Sequence, residues 1–279
     1  MTRRELLTRA QRIFSENKIP DASLEAEILL RHLIKIDRTQ LFSEPDAVVL
    51  PELERMFRGL IARRVKGEPT AYITGHREFY GLDFEVNHSV LIPRPETELL
   101  VEIALERAKK YSSPLIADVG TGSGVIAITL ALHLSEAKIY AIDTSEKALD
   151  TARRNSRTHR VERVITFLQG DLLAPLPQKV NIIVANLPYV MTADLAAVNT
   201  VGFEPELALD GGVDGLDKIR EVCLQATNKL LPGGCLLLEI GLGEKASLVE
   251  FLNKNGLAFD IKLYKDLRGI ERVIAVQVL

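Results

Sequence analysis

Cysteine is nearly absent: Cys223 and Cys235 are the two among 279 residues. They form no ligand-like or redox pair, so neither a disulfide framework nor a thiolate metal centre is expected. A reduced, cytoplasmic setting fits that usage, and no metal is expected. Long apolar runs are absent too; none reaches the roughly 18 residues of a membrane span. The opening MTRRELLTRAQRIF alternates charged and apolar residues, without the continuous apolar block of a secretory signal. Nor is there an excess of positive charge: 35 basic against 38 acidic residues give a net charge of −3. Nucleic acid is therefore not required as a partner, and a weak basic patch at Arg153–Arg163 is the one local candidate. What is present is ordinary globular material, 47% apolar and 26% charged, enough for a sizeable core in one large domain or two modest ones.

The texture changes along the chain. Residues 1–74 read as helices only. TRRELLTRAQRIFSEN puts Leu6, Leu7, Ala10, Ile13 and Phe14 on one face. DASLEAEILLRHLIKI has Asp21 or Ser23 as its cap, with Glu25 and Glu27 in the first turn. PELERMFRGLIARRVKG opens on Pro51 and stops at Gly67. A small helical bundle is expected. Residues 75–93 hold two β-type runs around Gly81, a hairpin serving as connector. From 94 to 279, after a helix opening at Pro95, short apolar strands alternate with helices. That is an α/β pattern, a mostly parallel sheet covered on both faces, with two final strands forming an antiparallel edge.

Asp118-Val119-Gly120-Thr121-Gly122-Ser123-Gly124 follows the first of these strands and opens a helix. Glycines there let backbone approach a ligand and aim helix amides at it. The spacing is G-x-G-x-G, not the dinucleotide G-x-G-x-x-G, although the loop alone does not exclude a dehydrogenase. The second strand ends in Asp143, a carboxylate able to accept both hydroxyls of a ribose, and the third ends in Gly170-Asp171-Leu172, where an adenine edge would lie. Asp118 is placed to fix the loop through backbone amides. Each feature alone is also explained by a tight turn or a helix cap; together and in order they describe a nucleoside pocket at the carboxyl edge of the sheet. The set resembles the S-adenosylmethionine site of class I methyltransferases, a seven-stranded Rossmann-like fold.

The fourth strand runs into Asn186-Leu187-Pro188-Tyr189. An amide or exocyclic amine nitrogen is a poor nucleophile because its lone pair is delocalised. A site that accepts hydrogen bonds from both of its N–H groups directs that lone pair at a methyl donor. The Asn186 side-chain oxygen and the Leu187 carbonyl are two such acceptors. Pro188 biases Leu187 to an extended conformation, and Tyr189 can stack on a planar group. Read alone, the tetrapeptide is equally an Asx-type turn with a core tyrosine. It resembles the N-P-P-Y signature of amino-methyltransferases, with Leu187 in place of the first proline, and the related motif of ribosomal RNA dimethyladenosine transferases.

The flanking segments narrow the resemblance. EPTAYITGHREFYGLDFEVNHSVLIPRPETELLVE, FEPELALDGGVDGLDKIR and DLRGIERVI are similar to segments of the release-factor glutamine methyltransferases of the HemK/PrmC type. That resemblance implies S-adenosylmethionine as cofactor and peptide chain release factors as protein substrate. The methyl acceptor would be the side-chain nitrogen of the glutamine in their Gly-Gly-Gln motif, and the N-terminal bundle would help hold the factor. It also implies cofactor contacts from Gly120 to Gly124, Asp143, and Asp171 or Leu172. Glutamine contacts come from Asn186 to Tyr189, and Arg94, Glu96 and Glu98 are candidates for the mouth. Two other readings remain: an RNA or DNA amino-methyltransferase acting on adenine or cytosine, and a non-catalytic domain binding a nucleoside or a partner. His76 and His88 have no cysteine or nucleophile nearby and are read as packing or surface residues; Glu239 is read as a structural carboxylate.

Overall fold

A computed structural model describes residues 1–197, 202–257 and 260–277. It divides into two compact units, Met1–His76 and Arg77–Leu279. The first contains α1 (Arg3–Glu16), α2 (Ala22–Ile34), α3 (Arg38–Ser43), α4 (Pro51–Val65) and α5 (Thr70–Thr74). Thr2 and Glu5 close a capping box on α1, and Pro51 takes the first position of α4. The apolar faces meet in a core of Leu6, Ala10, Phe14, Leu29, Leu30, Leu41 and Phe57. The start of α2 differs from expectation. Asp21 is left-handed and makes no side-chain cap, while Ser23 accepts from Gln11. Glu27 does more than face the helix dipole: it is buried and holds both Arg31 and Arg38.

β1 (His76–Phe79) and β2 (Leu82–Glu85) form the hairpin. Tyr80 and Gly81 both have positive φ, 55° and 72°, the turn whose twist matches paired strands. The Tyr80 amide is held by Glu98 at 2.9 Å. The hairpin is more than a connector, because Phe79 and Phe84 belong to the core of the second unit. Asn155 also bonds both the N–H and the carbonyl of Glu85.

The second unit continues with α6 (Thr97–Ala108), β3 (Leu115–Val119), α7 (Val125–His133), β4 (Lys138–Asp143) and α8 (Glu146–Thr158). Then come β5 (Ile165–Gln169), β6 (Val180–Ala185), α9 (Asp217–Lys229), β7 (Leu230–Glu239), α10 (Lys245–Lys254), β8 (Asp260–Lys265) and β9 (Glu271–Gln277). α6 starts two residues later than Pro95 suggests, since Thr97 N–H closes a turn onto the Arg94 carbonyl. The seven strands lie in the order β5-β4-β3-β6-β7-β9-β8. All pairings are parallel except those of β9, which runs antiparallel to both β7 and β8. The continuous apolar run of β6 is buried along nearly its whole length, as a central strand requires. Two buried clusters, one containing Ile116, Ile182 and Leu237 and the other Ala117, Ile183 and Leu236, alternate along the strands and so lie on opposite faces. The order reverses at β3 and β6, whose last residues Val119 and Ala185 are register partners. The loops that follow those two strands are therefore adjacent at the switch point.

Candidate active site

Gly120, Gly122 and Gly124 all have left-handed φ, 73°, 55° and 84°. A Cβ on Gly120 would sit 3.2 Å from Leu187 Cδ2 and 3.5 Å from the Asn186 carbonyl. Gly120 thus lets the tetrapeptide close against the loop. A Cβ on Gly124 would meet Ala152 and Ile128, both at 3.0 Å, so that glycine serves helix packing.

The loop does not offer its amides as expected. Gly120 and Thr121 both donate to the Ile142 carbonyl at 2.9 Å, Gly122 donates to Asp143 Oδ2 at 2.9 Å, and Gly124 donates to Thr121. These N–H groups are committed inside the protein, and the buried Asp118 and the partly buried Asp143 carboxyl groups stand beside them. That arrangement suits a cofactor without phosphate far better than a pyrophosphate, which would need free amides and no adjacent anions.

Asp118 fixes the loop mainly through a side chain: its Oδ2 accepts from the Thr121 hydroxyl at 2.6 Å and from the Ala127 N–H at 3.2 Å. Full burial pushes its carboxyl up to about 7 against those two bonds. Each Asp143 oxygen already accepts one backbone N–H, from Gly122 and from Ser145, both at 2.9 Å. Burial raises its pKa as well. A carboxylate oxygen can accept twice, so acceptor capacity remains for a ribose.

One pocket brings together Arg94, Gly120, Thr121, Gly122, Ser123 and Asp143 with Asp171, Leu172, Asn186, Leu187 and Pro188. Five expected residues do not line it, and one of them, Glu98, instead accepts the Tyr80 N–H of the hairpin. Asp118 is buried at the base of the loop, and Gly124, its last residue, is packed against Ala152 and Ile128. Glu96 sits at the turn before α6, outside the lining. Tyr189 packs its ring on the core, with its hydroxyl 3.3 Å from Glu239 Oε1. Burial, then the Glu239 charge, pushes that phenol up. Asp171 is half-exposed and paired with Lys218 at 3.3 Å. Leu172, with φ 46°, turns into the wall of the pocket. Arg94 is held at 2.6 Å by Glu204, which also accepts from the Ile92 N–H.

Asn186 donates from Nδ2 to Thr97 Oγ1 at 3.0 Å. Its donor end is therefore occupied, leaving Oδ1 as the acceptor for an incoming group. Behind the tetrapeptide, Val190 pairs with 209–211, and Gly211 and Gly215 pack on its backbone. A Cβ at Gly211 would lie 2.8 Å from the Pro188 carbonyl, and one at Gly215 2.5 Å from the Tyr189 carbonyl. Thr97, Glu204, Gly211 and Gly215 were not singled out from the sequence. The three glycines of DGGVDG were the available signal for the last two. The proposed basic patch is partly neutralised: Arg153 pairs with Glu146 and Asp150, and Arg154 with Glu85.

A family model for the PrmC N-terminal domain matches residues 5–75, and one for the methyltransferase small domain matches residues 95–201. The release factor glutamine methyltransferase of Moorella thermoacetica is 41% identical over 274 residues, 98% of this chain and 97% of that one. That of Geobacter sulfurreducens is 40% identical over 276 residues, 98% and 95%. The chain belongs to the release factor glutamine methyltransferase family. It is a methyltransferase, and S-adenosylmethionine is the donor that family and fold imply. Among solved structures, the hMettl16 catalytic domain in complex with a 3'UTR hairpin matches with a TM-score of 0.58 at 16% identity, over 78% of this chain and 81% of that one. A methyltransferase from Pyrococcus furiosus matches with a TM-score of 0.52 at 16% identity, over 80% and 97%. These two show the shared fold. Among the described residues no helix is long and apolar enough to cross a membrane, and no group of side chains has metal-ligand character.

Proposed function

We propose that this chain methylates the side-chain amide nitrogen of the glutamine in the Gly-Gly-Gln motif of peptide chain release factors, using S-adenosylmethionine. The names of its full-length relatives support the substrate class. The observation that carries the chemistry is the Asn186–Thr97 bond, which leaves Asn186 Oδ1 as an acceptor at the pocket wall.

S-adenosylmethionine, when bound, supplies an electrophilic sulfonium methyl. The residues of this chain do the rest. Asn186 Oδ1 and the Leu187 carbonyl accept hydrogen bonds from the two N–H groups of the glutamine amide and so hold its nitrogen lone pair toward the methyl donor. The new N–C bond would form as the S–C bond breaks, the thioether leaving and one amide proton passing to solvent. Leu187 and Pro188 exclude water from that nitrogen. Asp143 takes the ribose hydroxyls, and Leu172 with Asp171 borders the adenine. Tyr189 steadies the tetrapeptide from the core side. Arg94 holds the rim of the pocket through Glu204, and the N-terminal helical unit holds the release factor.

The test offers radiolabelled S-adenosylmethionine with purified release factor, ribosomal RNA or DNA in parallel. Label on a release-factor glutamine is expected. Label on nucleic acid alone would move the function to RNA or DNA amino-methylation, and cofactor binding without label would make the chain a binding domain. Asn186→Ala should cut transfer by about 100-fold or more while cofactor affinity, measured by calorimetry, stays nearly unchanged.

A further inference from the structure

The polar side chains of the tetrapeptide are tied together from behind. Asn186 Nδ2 donates to Thr97 Oγ1 at 3.0 Å, and the Tyr189 hydroxyl donates to Glu239 Oε1 at 3.3 Å. The Thr97 hydroxyl, like that of Tyr189, favours the ionised form of the Glu239 carboxyl. Thr97 is the first residue of α6 and Glu239 the last of β7; they are 2% and 1% exposed. Glu239 Oε2 has no hydrogen-bond partner among the described residues, so this buried carboxylate has room to accept the one proton that Thr97 carries.

These facts set a direction. A hydroxyl has one proton and two lone pairs. If the Thr97 proton goes to Glu239, Thr97 meets Asn186 only as an acceptor, and Asn186 must present Nδ2 to it. Oδ1 then faces the pocket. Were the amide reversed, its two protons would confront the N–H groups of the substrate amide.

We propose that Thr97 is a positioning residue whose hydroxyl, fixed by Glu239, sets the orientation of the Asn186 amide and so makes the site an acceptor of N–H protons. The role in transfer rests on the amide-methylation reading above; the orientation itself does not.

The charge state of Glu239 matters to this relay. Tyr189, Thr97, Arg272 and Glu96 act on its carboxyl, and Arg272 is itself paired with Asp266 at 3.3 Å. Burial dominates and pushes Glu239 up to about 7; Thr97, Tyr189 and Arg272 oppose it, and Glu96 adds to it. Below that pH the protonated carboxyl becomes a donor to Thr97. The Thr97 proton is then free to turn to Asn186, and the amide loses its fixed direction. Transfer should therefore fall on the acid side with a midpoint near 7.

The test uses the full chain with Thr97→Val, Thr97→Ser and Glu239→Gln. Single-turnover transfer to purified release factor is followed from pH about 6 to about 9. Cofactor affinity is measured by calorimetry. Exchange of the Asn186 side-chain amide protons is followed by NMR, the signal being assigned by its loss in Asn186→Ala. Thr97→Val should slow transfer about 100-fold, leave cofactor affinity nearly unchanged and speed amide exchange. Thr97→Ser should restore both rate and protection, and Glu239→Gln should flatten the acid limb. Wild-type amide exchange in Thr97→Val, or an acid limb unaltered in Glu239→Gln, overturns the proposal. If the wild type labels no release factor, the substrate reading fails, and the amide-exchange comparison alone decides the role of Thr97. If Thr97→Val does not fold, the pH profile of Glu239→Gln decides.

Discussion

Glu204 to alanine is the perturbation that most directly separates two contributions to the pocket wall. The Glu204 side chain is fully buried and its two oxygens have different duties. Oε2 lies 2.6 Å from Arg94 Nη2, and Oε1 accepts the buried Ile92 N–H at 2.9 Å. Pro93 and Pro205, chain neighbours of these groups, line the pocket. Alanine removes both bonds. Leaving the Ile92 amide without a partner costs about 1–3 kcal/mol. The Arg94 side chain is 34% exposed. Once freed, its guanidinium reaches water, and the lost pair costs about 1 kcal/mol, well below the roughly 3–5 kcal/mol of a fully buried pair. Glu204→Ala should thus lose about 2–4 kcal/mol in urea unfolding. Glu204→Gln keeps an acceptor for Ile92 and should lose only about 1 kcal/mol. Cofactor affinity, measured by calorimetry, should fall in the same order. Equal losses in the two variants would refute the division of labour. An alanine variant that is destabilised yet binds cofactor normally would refute the placing of this pair in the pocket wall.

Gly120→Ala must hold alanine at φ 73° with its Cβ 3.2 Å from Leu187; chemical unfolding should show a loss of about 1–2 kcal/mol, and transfer should drop more than cofactor affinity. Asp143→Asn leaves one acceptor oxygen for the two loop amides and the ribose, so calorimetry should show cofactor binding weakened about tenfold or more. Asp118 has a folded-state pKa raised to about 7. Its contribution to stability is therefore full below the ordinary carboxylate range and is lost as pH rises through about 7. Asp118→Asn keeps an acceptor for Thr121 and Ala127 and removes that titration. Its stability relative to wild type should improve by up to a few kcal/mol between pH about 5 and about 8.5. A difference that does not change with pH would show that Asp118 is not the titrating group.

Legibility followed the range of the interactions. The alternation of β3, β4, β5 and β6 with their helices was readable because each strand carries its own apolar run. The adjacency of β3 and β6, which makes the site, was an assumption until the strand order showed it. Asp143 and the glycines were readable as a local motif. The fate of the loop amides was not, because Gly120 and Thr121 donate to the Ile142 carbonyl and Gly122 to the Asp143 carboxylate, both on the neighbouring strand. Thr97 and Glu204 escaped for a similar reason. Thr97 is 89 residues from Asn186, and Glu204 is 110 from Arg94. A threonine after RPE reads locally as a helix opening, and a glutamate before Pro205 reads as a loop. The hairpin was placed correctly in sequence but underestimated in role, since Asn155, whose side chain completes its edge, lies 70 residues downstream.

Leu187 shows how packing substitutes for a local constraint. A proline there would fix its own φ and stiffen the tetrapeptide from within. In this chain the stiffness comes from outside. Val190 is bonded to the Leu209 carbonyl at 2.9 Å and accepts from Gly211 at 2.8 Å, while Thr192 bonds the Gly212 carbonyl. Gly211 and Gly215 admit the backbone of Pro188 and Tyr189 so closely that no Cβ would fit. On the other side Leu187, 5% exposed, rests on Gly120. With neighbours on both sides fixed, a free φ at one residue adds little motion. The requirement at this position is then a side chain that fills the space over Gly120 and keeps water away, and a leucine meets it as well as a ring does.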